Sequence, residues 1–304
     1  MIPRVLLATT VVGCLLAAGC GGSGEPGNDL LFVSTRDGDY AIYGMDADGG
    51  SQGRLTDERG DTSTNAGIEF QVEPAWSPDG MRIAFASARE GSFDIYVMAA
   101  DGTDTTRLTT SKVNDRRPSW SPDGMRIVFA RSVDETQLFV MNADGTGARR
   151  VTDDAAPESE PAWSPDGEWI AYVRRQPGTE VREIWLVRPD GSERRRVTRL
   201  NSVAYAPAWS PDGERIAFSA DRGDNRYAIW TIGIDGTGLR RVTPAGIDAF
   251  EPAWTPDGRV LAFSRDGAIV TVDETGNEVQ LTDPQNNDSS PAWNPRPDVE
   301  KEES

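Results

Sequence analysis

The sequence predicts an all-β fold: a six-bladed β-propeller closed by pairing its N- and C-terminal segments in one blade. Three observations predict it. First, one motif recurs. Pro74-Ala75-Trp76-Ser77-Pro78-Asp79-Gly80 returns at 118–124, 161–167 and 207–213, then with Thr255 for Ser at 252–258, and last as the truncated Pro291-Ala292-Trp293-Asn294-Pro295. Successive tryptophans of the motif lie 44, 43, 46, 45 and 39 residues apart, which suits one four-stranded blade per repeat. Second, Gly and Pro number 31 and 20 among 304 residues, a composition of turns rather than helices. Third, the two ends of the repeat region are complementary. Leu30–Ser34, Tyr40–Tyr43 and Arg54–Thr56 read as strands two, three and four of a blade without its first, and 291–294 reads as a first strand with nothing after it. Joined, they remove two exposed sheet edges.

The elements follow in chain order. Residues 1–19 read as a signal peptide, with Arg4 before a mostly apolar run from Val5 to Ala18. That run is short of the roughly 20 residues a membrane span needs. Leu16-Ala17-Ala18-Gly19-Cys20 resembles a bacterial lipoprotein signal, which implies lipid attachment at Cys20. Val11-Val12-Gly13-Cys14 is a second possible box, and simple secretory cleavage after Gly19 is the plainer alternative. Residues 20–28 are a Gly-rich tether. The propeller runs from 29 to 295, and 296–304 is a charged tail. Within a full repeat, Pro-x-Trp is the first strand, and Ser-Pro-Asp-Gly suits a type I turn. Arg82–Ser87, Asp94–Met98 and Thr106–Thr109 are the next three strands, with Asp101-Gly102 turning the chain between the last two.

Composition narrows the chemistry. The chain has no histidine, which removes Ser-His-Asp and Cys-His nucleophiles and every His-ligated metal. Its only cysteines are Cys14 and Cys20, so the body carries no disulfide and no catalytic thiol. A net charge of −18 makes nucleic acid an improbable partner. The Asp-Gly turns lack the spaced ligands and terminal Glu of a calcium-binding helix-loop-helix, and hairpin geometry accounts for them without metal. No metal and no cofactor are expected.

The Pro-x-Trp-Ser-Pro-Asp-Gly repeat resembles the WD40-like (PD40) repeat of TolB-type six-bladed propellers, and the resemblance spans nearly all of the mature chain. It implies a noncatalytic propeller in the cell envelope that binds a protein or peptide. Members of that family carry a separate α/β domain before the propeller, where only the tether is expected here. Related repeats occur in prolyl-oligopeptidase-like enzymes, which add a hydrolase domain with Gly-x-Ser-x-Gly, a motif this sequence lacks.

The loops indicate where function sits. Turns between strands one and two and between three and four barely change from repeat to repeat; the loops on the other face differ in every blade, and divergent loops are where binding concentrates. The blade-to-blade segments 57–73, 110–117, 153–160, 199–206, 244–251 and 283–290 together carry −9. That face is expected to be acidic and to meet a basic partner. The residues before each repeat proline, Glu73, Arg117, Glu160, Ala206, Glu251 and Ser290, should gather at the channel mouth. Two readings of the three glutamates stand: a carboxylate ring for a cation or basic segment, or acceptors for backbone N–H groups of neighbouring blades, with Arg117 pairing one of them. Phe70, Tyr205 and Phe250 lie close by in sequence, either as anchors for a partner or as caps on the core. Arginines on the fourth strands read as protection of the outer edge. The function expected is an exported, lipid-anchored, monomeric binding propeller. The alternatives are an extracytoplasmic propeller enzyme using channel carboxylates on a sugar or ester, and a small-ligand sensor.

Overall fold

The computed structural model describes residues 27–56, 71–221 and 226–296. The signal peptide with Cys14 and Cys20, most of the tether, Phe70 and residues 297–304 lie outside the described residues. Six four-stranded antiparallel sheets are arranged as blades, and the described residues contain one short 3-10 turn, Pro284–Asn286, and no α-helix. Blade 1 is Gln71–Trp76, Arg82–Ser87, Asp94–Ala99 and Thr106–Arg107. Blades 2 to 5 begin with Asp115–Trp120, Glu158–Trp163, Ala204–Trp209 and Phe250–Trp254. Blade 6 has the expected composite order: Ser289–Trp293, Leu30–Ser34, Ala41–Met45, Gly53–Arg54. The clasp pairs Leu30 with Trp293 and Leu31 with Ala292. Asn294 extends it, its amide N–H donating to Asp29 O at 2.8 Å and its Nδ2 to Asn28 O at 3.0 Å.

The motif residues build both the turn and the contact between blades. Ser77 Oγ donates to Asp79 Oδ1 at 2.5 Å and accepts from the Arg82 amide at 2.9 Å, locking the turn. The tryptophans wedge between blades. Trp76, Trp120 and Trp209 each donate their indole N–H to the motif's middle carbonyl in the preceding blade: Ala292, Ala75 and Ala162, at 3.2, 3.2 and 2.9 Å. Trp163 departs from this and bonds Gly167 O of its own turn at 3.1 Å. Phe32, Phe85, Phe129, Phe218 and Phe263, one from the second strand of each of five blades, are fully buried, and Tyr172 takes that place in blade 3. The Asp-Gly turns recur in five blades for a packing reason. Gly145 has φ 85°, and a Cβ there would fall 2.7 Å from Leu108 O of the blade before.

The fourth strands are shorter than the sequence suggested, two or three residues each, and a threonine explains why. Thr109 Oγ1 accepts the Ile95 amide at 2.9 Å, replacing the next ladder bond with a side chain. Thr56, Thr152, Thr198, Thr243 and Thr282 do the same in the other blades. The arginine two residues earlier does more than guard the edge. Arg107 Nε bonds Thr109 O at 2.9 Å while Nη2 reaches the buried Asp94 at 2.6 Å, and Arg54 and Arg196 reach Asp39 and Glu183 in the same manner.

Candidate functional site: the axial ring and its mouth

Each inner strand carries a bulge where its register with the second strand slips, for example between Val72 and Ala75 in blade 1 and between Arg116 and Ser119 in blade 2. The repeat proline sits in the bulge, where its missing N–H costs no ladder bond. The residue before it takes a positive φ in every blade: Glu73 61°, Arg117 57°, Glu160 55°, Ala206 52°, Glu251 54° and Ser290 52°. Non-glycine residues held there cost on the order of 1–3 kcal/mol each and persist only where the surroundings over-determine them. These six residues and their prolines line a narrow axial cavity of about 150 Å³. The six residues before the repeat prolines thus come together as a ring, within the inner strands rather than at their ends.

The bonds of the ring follow the backbone-acceptor reading of the glutamates. Glu73 Oε2 accepts the Arg117 amide at 2.8 Å, Glu160 Oε2 accepts the Ala206 amide, and Glu251 Oε2 accepts the Ser290 amide at 2.9 Å and its hydroxyl at 3.1 Å. Each glutamate thus holds the strained residue of the next blade. The second oxygens carry the electrostatics. Arg117 Nε lies 2.9 Å from Glu73 Oε1 and Nη1 lies 3.4 Å from Glu251 Oε1, spanning the channel. Arg116 adds a third contact, 2.8 Å from Glu73 Oε1. Burial alone would lower the Arg117 pKa, but Glu73, Glu160 and Glu251 outweigh it and hold the guanidinium above its ordinary value.

Above the ring, on the divergent face, the channel widens into a cavity of about 540 Å³ bounded by Arg117, Glu160, Arg182, Tyr205, Phe250 and Glu251. Tyr205 and Phe250 line this mouth and stack on one another, ring centroids 6.3 Å apart. Tyr227, which the sequence reading passed over, completes the cluster at 5.1 Å from Tyr205 and 5.5 Å from Phe250. Its signal was faint, a tyrosine opening the third strand of blade 4. Burial raises the Tyr205 pKa, and the charges of Tyr227, Glu160 and Glu251 add to it, so the phenol stays neutral.

Arginines outside the loop segments pair several of this face's acids. Asp115 meets Arg131 at 2.7 Å, Asp154 meets Arg174 and Arg194 at 2.9 and 3.3 Å, Asp248 meets Arg226 at 2.7 Å, and Asp288 meets Arg36 at 3.0 Å. Arg194 belongs to this face rather than to the outer edge alone, since it also reaches Asp153 at 3.0 Å.

A carboxyl beside this site titrates near neutrality. Glu158 is fully buried. Burial pushes its pKa from 4.5 up to about 7; the Thr152 hydroxyl opposes this, the charge of Asp154 adds to it, and Arg194 and Arg174 oppose it. The folded state therefore holds a proton that the unfolded state has released. Its stabilising share is full below the unfolded pKa and disappears as pH rises through about 7. Glu158→Gln should remove that slope and be more stable than wild type at pH 8 by about 1–2 kcal/mol. Urea unfolding at pH 5, 6, 7 and 8 measures it; parallel profiles for the two proteins would overturn the assignment.

Comparison with known proteins agrees with this architecture. The family model described as the TolB beta propeller domain (PD40) matches residues 58–182 and 161–299. The chain is 36% identical over 78 residues to the Tol-Pal system protein TolB of Desulfosudis oleivorans, covering 25% of this chain and 16% of that protein. The curated relatives it matches are covered over only 14–27% of their own lengths. Among solved structures, TolB from Acinetobacter baumannii superposes with a TM-score of 0.75 at 21% identity, over 90% of this chain and 68% of that one. Oligogalacturonate lyase from Vibrio parahaemolyticus gives 0.57 at 14% identity, over 83% and 74%. At such identities the structural likenesses speak for the fold alone.

Proposed function

Because the chain belongs to the TolB beta propeller domain family, we propose that it is an exported, noncatalytic propeller that binds a protein or peptide of the cell envelope, acting as a monomer held to the membrane by lipid on Cys20. The observation that carries the binding role is the mouth itself: a cavity of about 540 Å³ that sets two aromatic rings beside ring carboxylates. Aromatic anchors in a concave site are the residues that dominate interface energies. Glu160 and Glu251 at its floor, with the −18 of the whole chain, favour a basic segment and steer its approach. The binding reading is favoured over catalysis because the three ring glutamates are engaged by backbone amides and Glu73 and Glu251 also by Arg117. A general acid or base needs a carboxyl free to exchange its proton with substrate.

The test is capture of envelope proteins from a detergent extract by the purified domain. Tyr205→Ala combined with Phe250→Ala should lose the captured species, whereas Arg150→Gln on the exposed outer strand should keep it, circular dichroism having shown all three proteins folded. Capture that survives the aromatic double substitution would place the binding surface elsewhere. The anchor is tested separately. Two or more acyl chains hold a protein on a membrane stably, so Cys20→Ala should move the protein to the soluble fraction. Unchanged membrane retention would shift the anchor to Cys14 or to an uncleaved signal.

A further inference from the structure

Blades 1, 2 and 4 each lay an arginine over the motif tryptophan of the following blade. Arg82 stands 4.6 Å over the Trp120 ring, Arg126 4.9 Å over Trp163 and Arg215 4.9 Å over Trp254. In each case the arginine is the second residue after the Ser-Pro-Asp-Gly turn. In blade 5 that position is Val260, and the tryptophan it should cover is Trp293 of the clasp strand. Among the described residues no guanidinium lies over the Trp293 ring. In place of the missing side chain is a cavity of about 800 Å³, whose walls include Val260, Thr271, Trp293 and Pro295, with Asp29, Asp257 and the chain's own exposed Arg296 among its polar residues. Trp76, Trp120 and Trp163 are 6–7% exposed; Trp293 is partly buried, as are Trp209 and the arginine-covered Trp254.

The carboxylates beside this cavity keep acceptor capacity. Asp29 uses Oδ2 on the Ala47 amide at 2.9 Å. Asp257 uses Oδ1 on the Thr255 hydroxyl at 2.6 Å and the Arg259 amide at 3.1 Å, and its Oδ2 lies 3.9 Å from the largely exposed Arg259 Nε. A planar, weakly hydrated guanidinium suits a tryptophan face edged by carboxylates.

We propose that the slot between blades 5 and 6 is a receptor for an arginine side chain carried on an extended peptide of a partner, which would lie on Trp293 as three of the blades lay their own arginines. The slot is bordered by Thr255, Pro256 and Asp257 of a strand-one-to-two turn, so it opens on the face opposite the channel mouth, and both sites can be filled together.

The experiment follows the indole N–H resonance of Trp293, assigned as the signal lost in Trp293→Phe, while Nα-acetyl-arginine amide is added to the intact protein. The expected result is a saturable shift of that one indole. Nα-acetyl-norleucine amide, which keeps the alkyl stem and lacks the charge, should bind about tenfold more weakly or worse. Val260→Arg, which restores the residue of blades 1, 2 and 4, should abolish the response while leaving the other indole signals in place. Should that variant not fold, Asp29→Asn, which can still accept the Ala47 amide, should weaken binding severalfold. No saturable shift in wild type overturns the proposal. Equal shifts with norleucine would make the slot an apolar ligand site, and a response unchanged in Val260→Arg or in Asp29→Asn would place the arginine elsewhere.

Discussion

A chain ending at residue 288 should lose its cooperative unfolding transition, while one ending at 296 should keep it. The segment removed by the first truncation and kept by the second is the clasp strand Ser289–Trp293 with Asn294. Without it, Leu30–Ser34 becomes an open edge. The Trp76 indole N–H loses Ala292 O, the Glu251 carboxylate loses the Ser290 amide, and Trp293 leaves its place against the core between blades 5 and 6. A fully buried Trp removed alone costs about 3–5 kcal/mol; the partly buried Trp293 contributes less than that, and the lost strand adds to it, against a typical net stability of about 5–15 kcal/mol. The second truncation removes none of these contacts. Urea titration followed by tryptophan fluorescence decides it, and equal midpoints for the two chains would refute closure by the clasp.

Arg117→Met should be the most damaging single substitution in the channel. It leaves the Arg117 amide on Glu73 but removes the one charge among the described residues that touches both Glu73 and Glu251. Three carboxylates then share a narrow cavity with Arg116, which reaches Glu73 from one side. Removing one partner of a buried ion pair typically costs about 3–5 kcal/mol. Because the Arg117 side chain is 33% exposed, screening by channel water brings the expected loss to about 2–3 kcal/mol. Arg117→Lys should recover only part of it, since an ammonium cannot fork across two carboxylates. Triple replacement of Glu73, Glu160 and Glu251 by Gln in the Met background should restore stability, because each amide oxygen still accepts its backbone N–H while the repulsion disappears. A Met variant as stable as wild type would show that the ring charges do not matter to folding.

The blades, their order and the composite sixth blade could be read from the sequence because each rests on a local signal repeated six times, and repetition separates a signal from chance. The ring residues could be located for the same reason, since each precedes a repeat proline. What could not be read was their conformation. Glutamate, arginine, alanine and serine give no hint of a positive φ, which only the slipped register of the bulge imposes. The threonine that ends each blade was visible in Arg-Leu-Thr and Arg-Val-Thr, but its bond to the third strand is a tertiary fact. The arginines that pair acids of the divergent face were missed because Arg131 and Arg174 lie on second strands, outside the loop segments. Phe70 and the Cys20 anchor rest on the sequence alone.

The clasp also fixes the order in which the molecule can be finished. Ser34 and Asn286, bonded across the closure, are separated by 252 positions. The strand that completes the blade of Leu30 is therefore synthesised after every other strand of the propeller. Until it emerges, the earliest strands wait with one edge bare, and contacts this distant in sequence form slowly. A ring of this kind cannot close while it is being made. The step that makes the propeller rigid is thereby withheld until that one strand is in place.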